Sequence, residues 1–241
     1  MATVENHYEN LLADVYTWTL GGPEVKIEEN RRFLEGHQIV PRLSKQAVDL
    51  GAGSGFQSIT LAEKGFQVTA IDWSQKLLNE LIGRKNQLDI TPICDNLLNF
   101  TVHVSSPLEL IVCMGDTLTH LESLEQVELL FQKAYDALEK GGRLALTFRD
   151  LTTELKNLDR FIPVNSNRDT IFTCFLEYEP HHVKVHDLLY VWEKEKWNLK
   201  KSYYLKLRIR MDWVSERLTA IGFQSEVSNL DRGLITMIVK K

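Results

Sequence analysis

Residues Ala47 to Ser74 read AVDLGAGSGFQSITLAEKGFQVTAIDWS. An apolar run, a glycine-dense turn, a helix-like segment closed by Gly65 and a second apolar run ending in Asp72 follow one another. That order is strand, turn, helix and strand with an acid at its tip. It is the layout that seats a ribose-bearing cofactor at the carboxyl edge of a parallel sheet. The glycine spacing discriminates between cofactors. Gly51, Gly53 and Gly55 are present, but Phe56 stands at the third-glycine position of the dinucleotide fingerprint G-x-G-x-x-G. A bulky side chain there opposes the close helix approach of a pyrophosphate site, which argues against the competing nicotinamide-dependent oxidoreductase.

Working outward, the alternation of elements continues on both sides. Ala47–Leu50, Gln67–Ile71, Ile90–Cys94, the fully apolar Leu108–Met114 and Arg143–Phe148 read as strands. Phe56–Lys64, Ser74–Lys85 with Ser74 as N-cap, and Leu124–Leu138 read as the helices between them, and strands alternating with helices imply a parallel, doubly wound sheet. Ahead of this core, Tyr8–Leu20 and Val25–Val40 have helical spacing. After Asp150 the period changes: Thr170–Tyr178, His182–Glu193 and Trp197–Arg210 alternate as an antiparallel meander. Asp212–Ile221 is again helical, and Phe223–Ser228 with Leu234–Val239 reads as a terminal hairpin. The expected organisation is a helical lid over residues 1–44, a core over 45–150, a β insert over 151–210 forming a roof, and a last helix and hairpin over 211–241 that complete the core.

Composition excludes several classes of protein. With 44% hydrophobic and 25% charged residues in 241, the chain can bury a sizeable core. A formal charge of −5 and the absence of a basic stripe speak against nucleic acid as a partner. No window approaches the ~20 apolar residues of a membrane span, and no signal peptide is visible at the N-terminus. Three cysteines, Cys94, Cys113 and Cys174, form no C-x-x-C pair, so a reduced cytoplasmic setting is expected. No metal is expected either: His182 and His186 share a strand face but have no third ligand at matching spacing.

The run Asp49-Leu50-Gly51-Ala52-Gly53-Ser54-Gly55, with Asp72 downstream, resembles the D-x-G-x-G-x-G loop of the class I S-adenosylmethionine-dependent methyltransferases. The resemblance can be followed in order from Ala47 to Phe148. It implies a seven-stranded Rossmann-like sheet whose last strand is antiparallel, a three-stranded antiparallel cap, and S-adenosyl-L-methionine as cofactor with S-adenosyl-L-homocysteine as product. It further implies that Asp49, Gly51, Ala52, Gly53 and Gly55 cradle the cofactor and that Asp72 accepts from the ribose hydroxyls. By the same resemblance Trp73 would pack on the adenine, Asp95 and Asn96 would read its amino group, and Leu97 would line the same pocket. The segment from Cys113 to Leu121, CMGDTLTHL, is similar to the motif after strand four in glycine and sarcosine N-methyltransferases, as is Phe148-Arg149-Asp150 to their strand-five ending. Tyr16, Trp18 and Lys26 fall near lid positions that close over the cofactor, with Lys26 standing where that group has an Arg and Asp116 where it has an Asn.

Methyl transfer from a sulfonium is an in-line displacement, so positioning groups are sought rather than a triad. Arg149 can clamp a substrate carboxylate as a planar fork or pair with Asp116 or Asp150 at a loop end. Asp116 can accept from an amine or cap its turn. His120 can serve as a general base or be structural. The implied substrate is a small molecule bearing an amine or a carboxylate. The aromatic residues of the insert point to packing against the sheet or a contact with a second copy rather than to a cage for a quaternary amine, which needs three converging faces. A non-catalytic binding module is the remaining alternative.

Overall fold

The computed structural model describes residues 4–104, 107–231 and 233–241. Strands β1 (Gln46–Leu50), β2 (Gln67–Asp72), β3 (Ile90–Cys94), β4 (Leu108–Cys113) and β5 (Leu138–Arg149) belong to the main sheet; β6 (Phe161–Ser166), β7 (Thr170–Tyr178), β8 (His182–Glu193) and β9 (Lys196–Leu207) form the cap; β10 (Gln224–Asp231) and β11 (Leu234–Lys240) return to the main sheet. The main sheet has seven strands in the order β10-β11-β5-β4-β1-β2-β3. β1 pairs in parallel with both β2 and β4, whereas β11 runs antiparallel to β5 and to β10.

This order carries the site. The chain leaves β1 for β2 and β3 on one side, then crosses to β4 and β5 on the other, so the strand order reverses between β1 and β4. Loops leaving the carboxyl ends of such a pair diverge and open a crevice. Central strands must be covered on both faces, which explains why all six residues of β4 are buried. Helices α3 (Pro23–Gly36), α4 (Phe56–Glu63) and α5 (Gln75–Arg84) bury Leu34, Ile59 and Leu81 against one face. Helices α6 (Leu124–Ala137) and α7 (Met211–Ile221) bury Phe131 and Leu218 against the other. Ser74 caps α5 by accepting from the Leu77 amide, and Gly222 ends α7 in the left-handed region at φ 117°. No helix among the described residues is long and apolar enough to cross a membrane.

Three expectations change. The expected helix Tyr8–Leu20 is instead a short helix α1 (Val4–His7), a π-turn at Tyr8–Leu12 closed by the Ala13 amide on the Tyr8 carbonyl, and a short helix α2 (Tyr16–Thr19). The cap has four strands rather than three, because β6 is an exposed edge strand with Pro163 in it, a pattern that reads as loop. The strand expected to start at Arg143 starts at Leu138, with Glu139–Gly142 inside β5 as an irregularity. Leu108 pairs with Leu138 and Leu110 with Arg143, so the extra residues loop out while the strand continues.

Candidate active site

The glycine loop is shaped by its backbone. Gly51, Gly53 and Gly55 have φ of 73°, 52° and 81°, a region costly for residues with a Cβ. A Cβ on Gly51 would collide with Thr117 of the loop after β4, and one on Gly55 would collide with Leu81 of α5. The two loops of the crevice therefore touch at Gly51. Gly53 differs, because a Cβ there would meet only the Tyr16 ring at 3.5 Å and Leu77 at 3.8 Å. The amides of Gly51 and Ala52 donate back to the Ile71 carbonyl, and that of Gly53 to Asp72 Oδ2 at 2.8 Å. Asp49 holds the start of α4, accepting from Ser58 Oγ at 2.6 Å. A pyrophosphate needs that helix terminus for itself, so an acid placed there is incompatible with a dinucleotide site. Burial raises the Asp49 carboxyl to about 7.

Asp72 ends β2 and accepts from Gly53 on one oxygen and from the Ser74 amide on the other, each at 2.8 Å. Each carboxylate oxygen retains acceptor capacity beyond one bond, so the group can still take two hydroxyls. Burial pushes its pKa up. Beside it, the Asp95 amide donates to the Asp72 carbonyl, and the Cys94 thiol lies 3.4 Å from the Trp73 carbonyl. Asp95 itself binds His103 Nε2 at 2.6 Å, which draws its carboxyl below the usual range. Asn96 caps the turn that starts at Leu97. Trp73, Asp95, Asn96 and Leu97 thus gather at the tips of β2 and β3, partly or fully exposed.

Of the three candidate lid residues Tyr16, Trp18 and Lys26, Tyr16 reaches the loop, with its ring over Gly53. Thr17 bonds Ser54 Oγ at 3.0 Å and Glu80 at 2.6 Å, while Glu9 accepts from Ser74 Oγ at 2.8 Å, so the lid is tied to the loop and to α5. Trp18 packs instead on the cap, beside Phe172 and Leu189, and its carbonyl accepts from Asn165 at 2.7 Å. Lys26 is engaged by Glu29 on its own helix at 2.6 Å and is not joined to the glycine loop.

Cys113 is buried at the end of β4, and Asp116 follows in the loop. Asp116 Oδ2 accepts from Lys206 Nζ of the cap at 2.5 Å, and Oδ1 accepts from the Arg149 amide at 3.0 Å. The Arg149 guanidinium lies 3.3 Å from Asp116 with 63% of its side chain exposed, so the pairing alternative holds here rather than a free clamp. Burial alone would raise the Asp116 carboxyl, but Lys206 and then Arg149 outweigh it and hold it at about 2. His120 is enclosed beside the Lys206–Asp116 pair. Burial, then the nearby Lys206, push it down to about 3, so its ring is neutral.

The structure adds residues from the lid and cap that the sequence reading missed. His7 Nε2 lies 2.8 Å from Asp187 Oδ2 with both side chains buried, and Cys174 Sγ donates to Asp187 Oδ1 at 2.8 Å. The His7 ring packs on Tyr204 at 4.5 Å, Tyr204 on His120 at 5.4 Å, and Tyr8 on His120 and Tyr16 at 5.8 and 6.0 Å. A chain of rings therefore runs from Gly53 to the cap. Burial foremost raises the hydroxyls of Tyr8, Tyr16 and Tyr204, which keeps them protonated. One signal was available: Asp187 and Lys206 share strand faces with apolar Val185, Leu189 and Tyr204, an unusual place for charge.

Residues 47–142 match the family model described as a methyltransferase domain. A glycine/sarcosine N-methyltransferase of Aphanothece halophytica is 27% identical over 188 residues, covering 75% of this chain and 67% of that one. The chain carries a methyltransferase domain and is an S-adenosylmethionine-dependent methyltransferase, similar to those of class I. Its fold is shared by the CcbJ methyltransferase of Streptomyces caelestis, with a TM-score of 0.79 at 15% identity and 98% of each chain covered. It is also that of the amino pentose methyltransferase CalS10 of Micromonospora echinaspora, solved with S-adenosylmethionine bound, with a TM-score of 0.70 at 12% identity and 90% of each chain covered. For this methyltransferase the oxidoreductase and non-catalytic alternatives fall away, and S-adenosylmethionine is its cofactor.

Proposed function

We propose that this methyltransferase transfers its methyl group to the nitrogen of a small-molecule amine. The observation that carries this reading is the chemistry under the roof. Asp72, Asp116 and Asp187 converge there with the rings of Tyr8, Tyr16 and Tyr204, against one deeply buried ammonium among the described residues, Lys206. A cationic or amine-bearing guest relieves that excess of negative charge, and aromatic faces favour it as well. Lid and cap both close over the crevice, which suits an acceptor small enough to be enclosed. The N-methyltransferase named among the relatives and the amino pentose enzyme among the structural neighbours agree with it.

In this reading the backbone at Gly51, Ala52 and Gly53 takes the amino-acid end of the cofactor, Asp72 its ribose, and Trp73, Asp95, Asn96 and Leu97 its adenine. The space left by the missing Cβ of Gly53 fits this assignment, as does the unused acceptor capacity of Asp72. The cofactor, when bound, supplies a methyl group already activated on a sulfonium. The residues of this chain then align the acceptor, exclude water and hold its proton. Asp116, fixed by Lys206, would accept from the acceptor's N–H groups. A panel of small amines, aminosugars, hydroxy compounds and carboxylates, incubated with tritiated S-adenosylmethionine, tests the reading. Methylated amines support it, and label found only on hydroxyls or carboxylates refutes it.

A further inference from the structure

Two buried imidazole nitrogens have no hydrogen-bond partner among the described residues, Nδ1 of His7 and Nδ1 of His120. Both rings pack on Tyr204, yet their electrostatic surroundings are opposite. His7 gives its Nε2 to Asp187 Oδ2, and a carboxylate only accepts, so the proton sits on Nε2 and Nδ1 keeps a lone pair. A buried acceptor left without a donor is an exception that calls for an explanation. A proton arriving on His7 would complete an ion pair with Asp187. A proton arriving on His120 would face the Lys206 ammonium.

We propose that His7, oriented by Asp187, is the catalytic base that takes the proton from the acceptor. The proposal rests on the amine reading above. An ammonium has no lone pair with which to attack. Its N–H bond breaks, the proton joins His7 Nδ1, and the electron pair stays on nitrogen for bonding to the methyl carbon, while the C–S bonding pair remains on sulfur. The imidazolium so formed is stabilised by Asp187, whose second oxygen is held by Cys174, and the proton leaves to solvent when the lid opens. The other titratable groups around His7 are Tyr8 of the lid, Tyr204 and Lys206 of β9, and His120 with Asp116 in the loop after β4. The rings of Tyr8 and Tyr16 link this position to the glycine loop.

Wild type, His7→Gln and Asp187→Asn are compared in three measurements. Calorimetry with S-adenosylhomocysteine is expected to give affinities within about threefold of one another, since neither residue belongs to the cofactor site. With the best amine of the panel, His7→Gln should lower kcat roughly 10²–10⁴-fold at pH 7, and the deficit should shrink about tenfold per pH unit as free amine becomes available. A purely structural residue would lower the rate equally at every pH, and parallel pH profiles would overturn the proposal. Long-range ¹H–¹⁵N NMR of the wild type should find the His7 proton on Nε2 with Nδ1 bare, and Asp187→Asn should lose that preference. A proton on Nδ1 overturns the proposal whatever the acceptor. Should no amine be methylated, the amine reading fails, and the base role is then decided on the acceptor that is methylated: a loss of at least about tenfold in His7→Gln supports it and an unchanged rate overturns it.

Discussion

Lys206→Met tests how the cap is joined to the sheet. Lys206 reaches down from β9 and donates to Asp116 at 2.5 Å, with the two side chains 10% and 20% exposed. Met keeps the apolar stem and removes the ammonium. Breaking a buried pair by deleting one partner costs about 3–5 kcal/mol, because the remaining charge is stranded. Asp116 keeps the Arg149 guanidinium at 3.3 Å, so the lower end applies, about 3 kcal/mol. For a domain of this size, at roughly 2–4 °C per kcal/mol, the Tm should fall by about 6–12 °C. The sign with pH follows from the Asp116 carboxyl, held at about 2 against an ordinary 3.8. Its contribution is present above the ordinary value and is lost as pH falls through about 2, so the pH-dependent part of the gap between variant and wild type closes on acidification. Differential scanning calorimetry at pH 7 reads the effect. Adding Asp116→Asn keeps an acceptor for the Arg149 amide while removing the stranded charge, and should recover more than half of the loss. A Tm shift under about 2 °C, or a double variant no more stable than the single one, would refute the reasoning.

Two further perturbations follow. The Asp49 carboxyl is raised to about 7 from an ordinary 3.8, so its contribution to stability is complete below the ordinary value and is lost as pH rises through 7. Asp49→Asn should therefore be more stable than wild type at pH 8, by at most roughly 4 kcal/mol, and equal to it near pH 4; urea titrations at both pH values check the crossover. The glycines should separate by what surrounds them. Gly55→Ala meets Leu81 as well as a left-handed backbone and should cost about 2–4 kcal/mol, whereas Gly53→Ala carries the backbone strain alone, about 1–2 kcal/mol. Equal losses in urea titrations would show that Leu81 yields.

The core was legible because its strands are buried on both faces and read as uninterrupted apolar runs; Leu108–Cys113 is the clearest case. Glycines at 51, 53 and 55 were legible because a left-handed turn leaves few alternatives. β6 was not, since an exposed edge strand with Pro163 carries neither alternation nor burial. The π-turn at Tyr8–Leu12 was hidden too, because widening one turn leaves helical spacing nearly intact. The substrate side was half visible. Asp116 and Arg149 lie next to recognisable strand ends, whereas His7 meets Asp187 across 180 positions of chain, a pairing that only the docking of lid on cap creates. Lys206 was visible only as a charged residue in the alternating Trp197–Arg210 run, and its burial against Asp116 depends on which face of β9 turns inward.

The central claim is that the crevice between β1 and β4 binds the methyl donor with Asp72 at its ribose. Calorimetric titration of S-adenosylhomocysteine and of NADH into wild type and Asp72→Asn tests it most directly. The account predicts saturable binding of S-adenosylhomocysteine to wild type, at least tenfold weaker binding to Asp72→Asn, about 1.4 kcal/mol or more, and no binding of NADH to either. Binding of NADH alone, or an affinity for S-adenosylhomocysteine that Asp72→Asn leaves unchanged, would contradict it.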